Sequence, residues 1–142
     1  MGVPGMTTEG CVNRMLIPSD LLAARMPEQE ILEALGHFGY PEQAVFAVKL
    51  SFEEALVNAV KHGNQGDPAK YITIRYDVNA TRAVIIVADE GSGFCPAGVP
   101  DCTTQENLTR SSGRGIMLMR AYMDEVGYSP RGNEIRLVKR KA

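Results

Sequence analysis

Two consecutive segments with the character of β-strands place the strongest limit on the fold of this chain. Residues 71–78 alternate polar and apolar side chains, which is typical of a strand with one buried face. Residues 82–88 are more continuously apolar, so we expect this strand to lie in the centre of a sheet. Asn79 and Ala80 separate the two segments and favour a turn. The pair predicts two strands of a mostly antiparallel sheet.

Helical periodicity precedes these strands. After a first predicted strand at residues 12–17, Ser19 or Asp20 is suited to cap a helix that stops at Gly36 or Gly39. The apolar residues of this helix recur with helical period and would form its buried face: Leu21, Leu22, Met26, Ile31, Leu32 and Leu35.

A longer helix is predicted from Pro41–Glu42 to about Lys61, with Gly63 as the residue that ends it. At about 100° per residue, one stripe of this helix is apolar and should face the core. The stripe consists of Val45, Val48, Phe52, Leu56 and Ala59. Glu54, Asn58 and Lys61 cluster on nearly the opposite side.

The remaining pattern completes one α/β domain. A further helix is expected after Gly113–Gly115, followed by strands at about 124–128 and 134–139. The sum predicts an α/β (α+β) two-layer sandwich, with helices on one face of a mostly antiparallel, mixed sheet. With 142 residues, we expect a flexible leader at 1–11 and a single domain at 12–142.

Composition excludes several classes of protein. A net charge of −2, with 44% hydrophobic and 23% charged residues, is ordinary for a soluble domain and unlike a nucleic-acid binder. The apolar runs are too short to span a membrane. The three cysteines cannot all pair, and Cys95 and Cys102 lack neighbours that would complete a zinc site. Reduced thiols and a cytoplasmic location are expected, with no nucleic-acid or membrane partner.

The long helix carries the first candidate site. Glu54 and Asn58 lie one turn apart and are therefore neighbours. An amide oxygen from Asn58 would suit Mg²⁺ beside a triphosphate, and Lys61 could contact a phosphate. Glu54 could accept the proton of an attacking hydroxyl. Taken alone, the spacing is common and favours a merely solvated polar helix face.

A second candidate site follows the central strand. Asp89 ends that strand, where a carboxylate needs a hydrogen-bond donor such as the exocyclic amine of adenine. Gly91 and Gly93 would permit close approach of the backbone to a flat base. The alternative is an ordinary turn of the D-x-G-x-G type.

The third candidate site is a glycine pair after a long irregular segment. Gly113 and Gly115 open a helix whose backbone N–H groups could bind an anion, and Arg110 and Arg114 could neutralise phosphate charge. A hinge with surface arginines explains the same residues. Residues 94–112 before it have the composition of a functional loop.

Together, E-x-x-x-N-A-x-x-H-G, D-x-G-x-G-F and G-x-G, in this order across residues 54–115, give a specific resemblance. The chain resembles the GHKL (Bergerat-fold) ATPase superfamily and is most similar to the small anti-sigma-factor serine/threonine kinases of bacteria. The resemblance covers residues 12–139. It implies a histidine-kinase-like ATPase fold, with residues 94–112 as a lid over the nucleotide.

The resemblance also implies roles for individual residues. Glu54 would be the catalytic base, and Asn58 would hold Mg²⁺. The residues implied to bind ATP are Asn58, Lys61, Asp89, Gly91, Gly93, Thr104, Arg110, Gly113, Arg114 and Gly115.

The implied function is that of an ATP-dependent serine/threonine protein kinase and anti-sigma factor. Its implied partners are a STAS-type anti-sigma-factor antagonist, which it would phosphorylate, and a sigma factor, with the kinase as a homodimer. An alternative is a nucleotide-dependent partner-binding module without phosphotransfer, against which Glu54 argues because a base would then be superfluous. A weaker alternative is an adaptor fragment of a larger signalling system.

Overall fold

One sheet of five strands supports the helices of this protein. The computed structural model describes residues 10–91, 119–130 and 132–142. In chain order the strands are β1 (Cys11–Pro18), β2 (Tyr71–Val78), β3 (Arg82–Asp89), β4 (Glu125–Tyr128) and β5 (Glu134–Arg140). Their spatial order is β1-β2-β3-β5-β4, and each of these pairings is antiparallel. The predicted mostly antiparallel sheet is confirmed, and β3 lies at its centre as expected.

The helices between β1 and β2 form the second layer. A 3₁₀ turn at Leu21–Ala24 leads into α1 (Arg25–His37), and α2 (Glu42–Asn58) continues into a π-helical turn at Ala59–Gly63. α1 packs against α2 and β2, while α2 packs against β3 and β5. Residues 119–122, before β4, are also helical. The predicted α/β sandwich is therefore confirmed.

Alternation along the strands produces one buried and one open face of the sheet. The alternating buried side chains of the three middle strands are Ile72, Ile74, Tyr76, Val78, Ala83, Ile85, Val87, Ile135 and Leu137, and Val138 of β5 is buried as well. On the other face, Val12 and Leu16 of β1 are more than half exposed. Within the described ranges, no helix is long and apolar enough to cross a membrane.

A polar contact fixes α1 on the sheet. Asn13 Nδ2 of β1 and Tyr76 Oη of β2 each donate a hydrogen bond of 3.0 Å to Glu30 Oε1 of α1. Burial is the main reason that the pKa of Tyr76 is raised, so its hydroxyl stays a donor. This contact sets the position of the helix layer over β1 and β2.

The beginning of the first helix differs from the prediction. Leu21, Leu22 and Met26 are exposed, although their spacing had placed them on the buried face. Residues 21–24 form a 3₁₀ turn, which has three residues per turn and so rotates Leu21 and Leu22 away from the α-helical stripe, whereas Met26 lies in the first turn of α1. The predicted cap is confirmed, since Asp20 Oδ1 accepts a hydrogen bond from Leu22 N at 2.9 Å. Gly39, with φ +71°, follows the end of α1, in accord with the prediction.

The buried face of α2 is broader than the apolar stripe suggested. Small residues widen it, namely Ala44, Ala47, Ser51 and Ala55. Asn58, two turns after Ser51, is also buried on this side. The placement of Asn58 nearly opposite the core was wrong, because alanine and serine allow close packing although they contribute little to a hydrophobic stripe.

A carboxyl pair between α1 and α2 makes stability depend on pH. Burial, followed by a hydrogen bond with Glu53 and its charge, raises the pKa of Glu28 from 4.5 to about 7, against the opposing charges of Lys49 and Arg25. Because the folded-state pKa is raised, the stabilising effect is fully present below pH 4.5 and is lost as the pH rises through about 7.

We therefore expect Glu28→Gln to raise the free energy of unfolding at pH 8 by about 0.5 kcal/mol, a small value because the pair is largely exposed to solvent. At pH 4, below the unfolded-state pKa of 4.5, the variant and the original chain should be nearly equally stable. Thermal denaturation at the two pH values measures the difference, with the exposed Glu33→Gln on the same helix as control. An equal shift at both pH values would contradict the prediction.

Candidate nucleotide-binding site

A cleft opens where the end of α2 crosses the ends of β3, β4 and the start of β5. Its lining residues are Ala55, Asn58, Ala59, Val87, Asp89, Tyr128, Gly132, Asn133, Glu134 and Ile135. The strand order makes this possible, because β5 lies directly beside β3 and α2 packs over both. Asn58 and Asp89, which the sequence predicted as site residues, therefore lie in one cleft.

The backbone changes conformation directly after Asn58. α2 ends at that residue, and residues 59–63 form a π-helical turn closed by a hydrogen bond of 2.8 Å from Asn64 N to Ala59 O. The helix predicted to run to about Lys61 is therefore present, but it is α-helical only as far as Asn58 and π-helical beyond it. Single π-helical turns inside or after α-helices are frequent at functional sites. Here the wider turn places residues 59–63 against the end of β3.

Gly63 has a different role from the predicted one. It is not among the glycines with positive φ, so it is not a left-handed helix cap. Instead, a Cβ atom at Gly63 would overlap the carboxylate of Asp89. A Cβ atom at Gly91 would lie 2.8 Å from the carbonyl carbon of Gly63 and 3.0 Å from Asp89 Oδ1. Both glycines are needed because the π turn, Asp89 and Gly91 are in close contact.

Asp89 combines burial with negative charge. Burial raises its pKa from 3.8 to about 6, while the Gly91 N–H and the charge of Lys70 act in the opposite direction. The Gly91 N–H donates to Asp89 Oδ1 at 2.8 Å. Asp89 is thus largely ionised at neutral pH and lies at the wall of an otherwise mostly uncharged cleft. Such a carboxylate is a strong acceptor for an N–H group of a ligand.

Asn58 is a buried polar side chain with its hydrogen-bonding groups unused. It is 9% exposed, and within the part of the chain that the structure describes neither Oδ1 nor Nδ2 has a hydrogen-bond partner. Leaving a buried polar group unsatisfied destabilises a fold by about 1–3 kcal/mol. A ligand in the cleft would supply the missing partner. An amide oxygen is also a suitable ligand for Mg²⁺, so the residue fits the group that the resemblance implies.

Glu54 lies one turn before Asn58 and is half-buried. Its charge acts on Tyr128 at the cleft wall. Burial raises the pKa of Tyr128 to about 12, the charge of Arg120 lowers it, and the charge of Glu54 raises it further. The carboxylate of Glu54 is therefore close to the cleft.

Other predicted residues are placed away from the cleft or outside the described ranges. Lys61 is exposed on the π turn and is not among the residues that line the cleft. The predicted lid at 94–112 lies outside the described residues. So do the remaining predicted site residues, which are Gly93, Thr104, Arg110, Gly113, Arg114 and Gly115.

Sequence reasoning missed several residues of the cleft. Tyr128 and Asn133 line it, and Lys70 acts on Asp89 through its charge. Asn133 O accepts a hydrogen bond of 2.9 Å from Asp89 N, which continues the pairing of β3 with β5. No local signal marks these residues, because they reach the site only through the pairing of strands that are distant in sequence.

The close contact at Gly63 gives a test of the site's packing. We expect Gly63→Ala to displace the Asp89 carboxylate and to lower the free energy of unfolding by about 1–3 kcal/mol, as overpacked substitutions do. Gly36→Ala is the matched control: it lies within α1 with nothing within 4 Å of its added Cβ, and should stabilise the fold by about 0.5–1 kcal/mol. Chemical denaturation measures both. A neutral Gly63→Ala would show that the packing around Asp89 is loose.

Asp89 should also lower the stability of the ligand-free fold at neutral pH. Its raised pKa means that the stabilising effect of the protonated form is fully present below pH 3.8 and is lost as the pH rises through about 6. We expect Asp89→Asn to raise the free energy of unfolding at pH 8 by about 1 kcal/mol, after allowance for partial exposure, and to leave it unchanged at pH 3.5. Denaturation at the two pH values tests this, with the exposed Asp77→Asn of β2 as control. A destabilised Asp89→Asn at pH 8 would contradict it.

Known proteins are similar to this chain in sequence, and a solved structure is similar to it in fold. The profile of the family described as Histidine kinase-like ATPase domain matches residues 17–139. The serine-protein kinase RsbW of Bacillus subtilis is 33% identical over 94 residues, which is 62% of this chain and 59% of that protein. The RsbW of Bacillus licheniformis is 32% identical over the same shares. The anti-sigma F factor of Halalkalibacterium halodurans is 35% identical over 82 residues, or 56% of each chain.

The alignments thus span about three-fifths of the length of these curated relatives. Among solved structures, the RsbU and RsbW domains of Rv1364c from Mycobacterium tuberculosis match 91% of this chain and 31% of that one, with a TM-score of 0.61 and 16% identity. At this identity the likeness shows a shared fold. Because the family profile covers nearly the whole chain and the fold agrees, the chain belongs to the Histidine kinase-like ATPase domain family.

Proposed function

We propose that this protein is an ATP-dependent serine/threonine protein kinase that acts on a STAS-type anti-sigma-factor antagonist, and that it is also an anti-sigma factor. The observation that supports this most directly is the pairing, in one cleft, of the buried Asn58 amide, which has no hydrogen-bond partner among the described residues, and the half-buried Asp89 carboxylate. Both Asn58 and Asp89 line this cleft. The names of the relatives, serine-protein kinase and anti-sigma F factor, agree with the proposal.

In this proposal the cleft binds ATP at two points. Asp89 accepts a hydrogen bond from the exocyclic amine of adenine, and Gly91 and Gly93 allow the base to approach the backbone. Asn58 Oδ1 would hold Mg²⁺, and the chemistry that this ion would supply is neutralisation of charge on the phosphates. The phosphates are further contacted by the residues assigned from the resemblance: Lys61, Thr104, Arg110, Gly113, Arg114 and Gly115.

Glu54 then serves as the base for phosphoryl transfer. It accepts the proton of a serine or threonine hydroxyl on the antagonist as that oxygen bonds to the γ-phosphorus. The bond between the γ-phosphorus and its bridging oxygen breaks, and ADP leaves. The position of Glu54, half-buried and one turn from Asn58, keeps the acceptor beside the phosphates that Asn58 would orient.

Phosphorylation would work as a partner switch. The added phosphate introduces nearly two negative charges into the surface of the antagonist, which opposes its binding. The kinase, as a cytoplasmic homodimer, is then available to bind a sigma factor.

The test of the base is Glu54→Gln. We expect phosphoryl transfer to a STAS-domain protein to fall by about 100-fold or more, because a general base contributes at least that much to such reactions. Binding of Mg-ATP should be unchanged, since Glu54 is assigned to the proton and not to the nucleotide. Phosphosite mass spectrometry measures the transfer, and calorimetry measures the binding.

Glu53→Gln is the matched control for that variant. Glu53 is the adjacent residue on α2, is exposed, and pairs with Lys49 at 3.8 Å, so its loss should leave transfer intact. If the original chain binds ATP but transfers no phosphate, the nucleotide-dependent binding module is the correct function. If it binds no ATP at all, the proposed function is wrong.

A further inference from the structure

Asn64 joins two backbone segments that meet beside the cleft. It is fully buried and directly follows the π turn. Its Nδ2 donates to Tyr71 O at 3.1 Å, and its Oδ1 accepts from Glu90 N at 2.9 Å. Its backbone N–H donates to Ala59 O at 2.8 Å and so closes the π turn. One residue therefore contacts the π turn, the start of β2 and the residue after β3.

The side chain of Asn64 occupies a defined place in the sheet. The antiparallel pairing of β2 with β3 ends at Ile72 and Asp89, so Tyr71 and Glu90 are the next positions on the two strands. There the Asn64 amide donates to one strand and accepts from the other, as a peptide group would. The Glu90 carboxylate also accepts a hydrogen bond from Tyr71 N. The strand ends are thus held together beyond the last paired residues.

Asn64 is hydrogen-bonded to the backbone segment that carries Asp89. Asp89 directly precedes Glu90, and the N–H of Gly91, which directly follows Glu90, donates to Asp89 Oδ1 at 2.8 Å. The carboxylate also lies where a Cβ atom of Gly63 would be. The orientation of the Asp89 carboxylate therefore depends on the position of the backbone of residues 89–91 relative to the π turn. Asn64 is hydrogen-bonded to both of these segments.

We propose that Asn64 is a positioning residue of the nucleotide-binding site, which holds the Asp89 carboxylate in register with Asn58 by tying the strand end to the π turn. The inference rests on the proposed function where it concerns ATP, and on the hydrogen bonds of Asn64 where it concerns the backbone of residues 89–91. The resemblance assigned no role to Asn64.

A merely structural asparagine would act differently, and the chain offers one for comparison. Asn79 lies at the opposite end of β2 and β3, where its Oδ1 accepts hydrogen bonds from Thr81 N, Thr81 Oγ1 and Arg82 N. It stabilises the turn between the same two strands but lies outside the lining of the cleft. Asn79→Ala is therefore a control for loss of stability without loss of positioning.

The experiment compares Asn64→Ala with Asn79→Ala in the full chain. Both should lower the melting temperature. In Asn64→Ala, we expect Mg-ATP to bind about tenfold or more weakly, with a reduced preference for ATP over GTP, and the Gly91 amide to exchange with solvent about tenfold faster. In Asn79→Ala, ATP affinity, base preference and Gly91 exchange should match those of the original chain.

Two outcomes would overturn the inference: normal ATP affinity and Gly91 exchange in Asn64→Ala, or equal losses in both variants. If the original chain does not bind ATP, the proposed function fails, while Gly91 exchange still tests the positioning role. If Asn64→Ala does not fold, Asn64→Asp replaces it, because it keeps an oxygen for the Glu90 N–H. Asn64→Asp loses the amide donor to Tyr71 O, so its ATP affinity should fall about tenfold and its Gly91 amide should exchange faster, and normal values of both would overturn the assignment.

Discussion

The contact between the Asp89 carboxylate and the backbone of Gly63 is the constraint on which the arrangement of the site depends. It requires a residue without Cβ at position 63, a second one at position 91, and a π turn wide enough to bring Gly63 to the strand end. It also fixes the distance between the end of α2 and the end of β3. Asn58 and Asp89 occupy those two ends, so the contact determines how a ligand could bridge them.

Two features of the same region lower the free energy of unfolding. A half-buried carboxylate has its pKa raised to about 6, and the Asn58 amide lacks a partner within the described residues. Each is unfavourable for the fold unless a ligand or water supplies the missing interaction. The alternating apolar core of β2, β3 and β5 offsets these terms. Residues that disfavour the ligand-free fold yet lie together in a cleft are typical of a binding site, because a ligand can satisfy what the fold does not.

Much of the fold could be predicted because its signals are local. The alternation of residues 71–78 gave β2 to the residue, and Asp20 and Gly39 marked helix ends through turn chemistry that involves only near neighbours. The predictions failed where packing changed the helical period. Leu21 and Leu22 lie in a 3₁₀ turn, and residues 59–63 lie in a π turn. Both departures depend on contacts with other elements, which a periodicity taken from one segment does not contain.

For the site, the sequence by itself determined the types of side chain and their order: a carboxylate and an amide one turn apart, then a carboxylate at a strand end followed by glycine. It determined the family as well, through motifs that span residues 54–115. Only the tertiary structure decided that Asn58 is buried and that Gly63 leaves room for the Asp89 carboxylate. It also decided that β5 lies beside β3, which brings Asn133 to the cleft. The physical reason is that these features arise from strand pairing and close packing between distant segments, whose free energies depend on the whole assembled core.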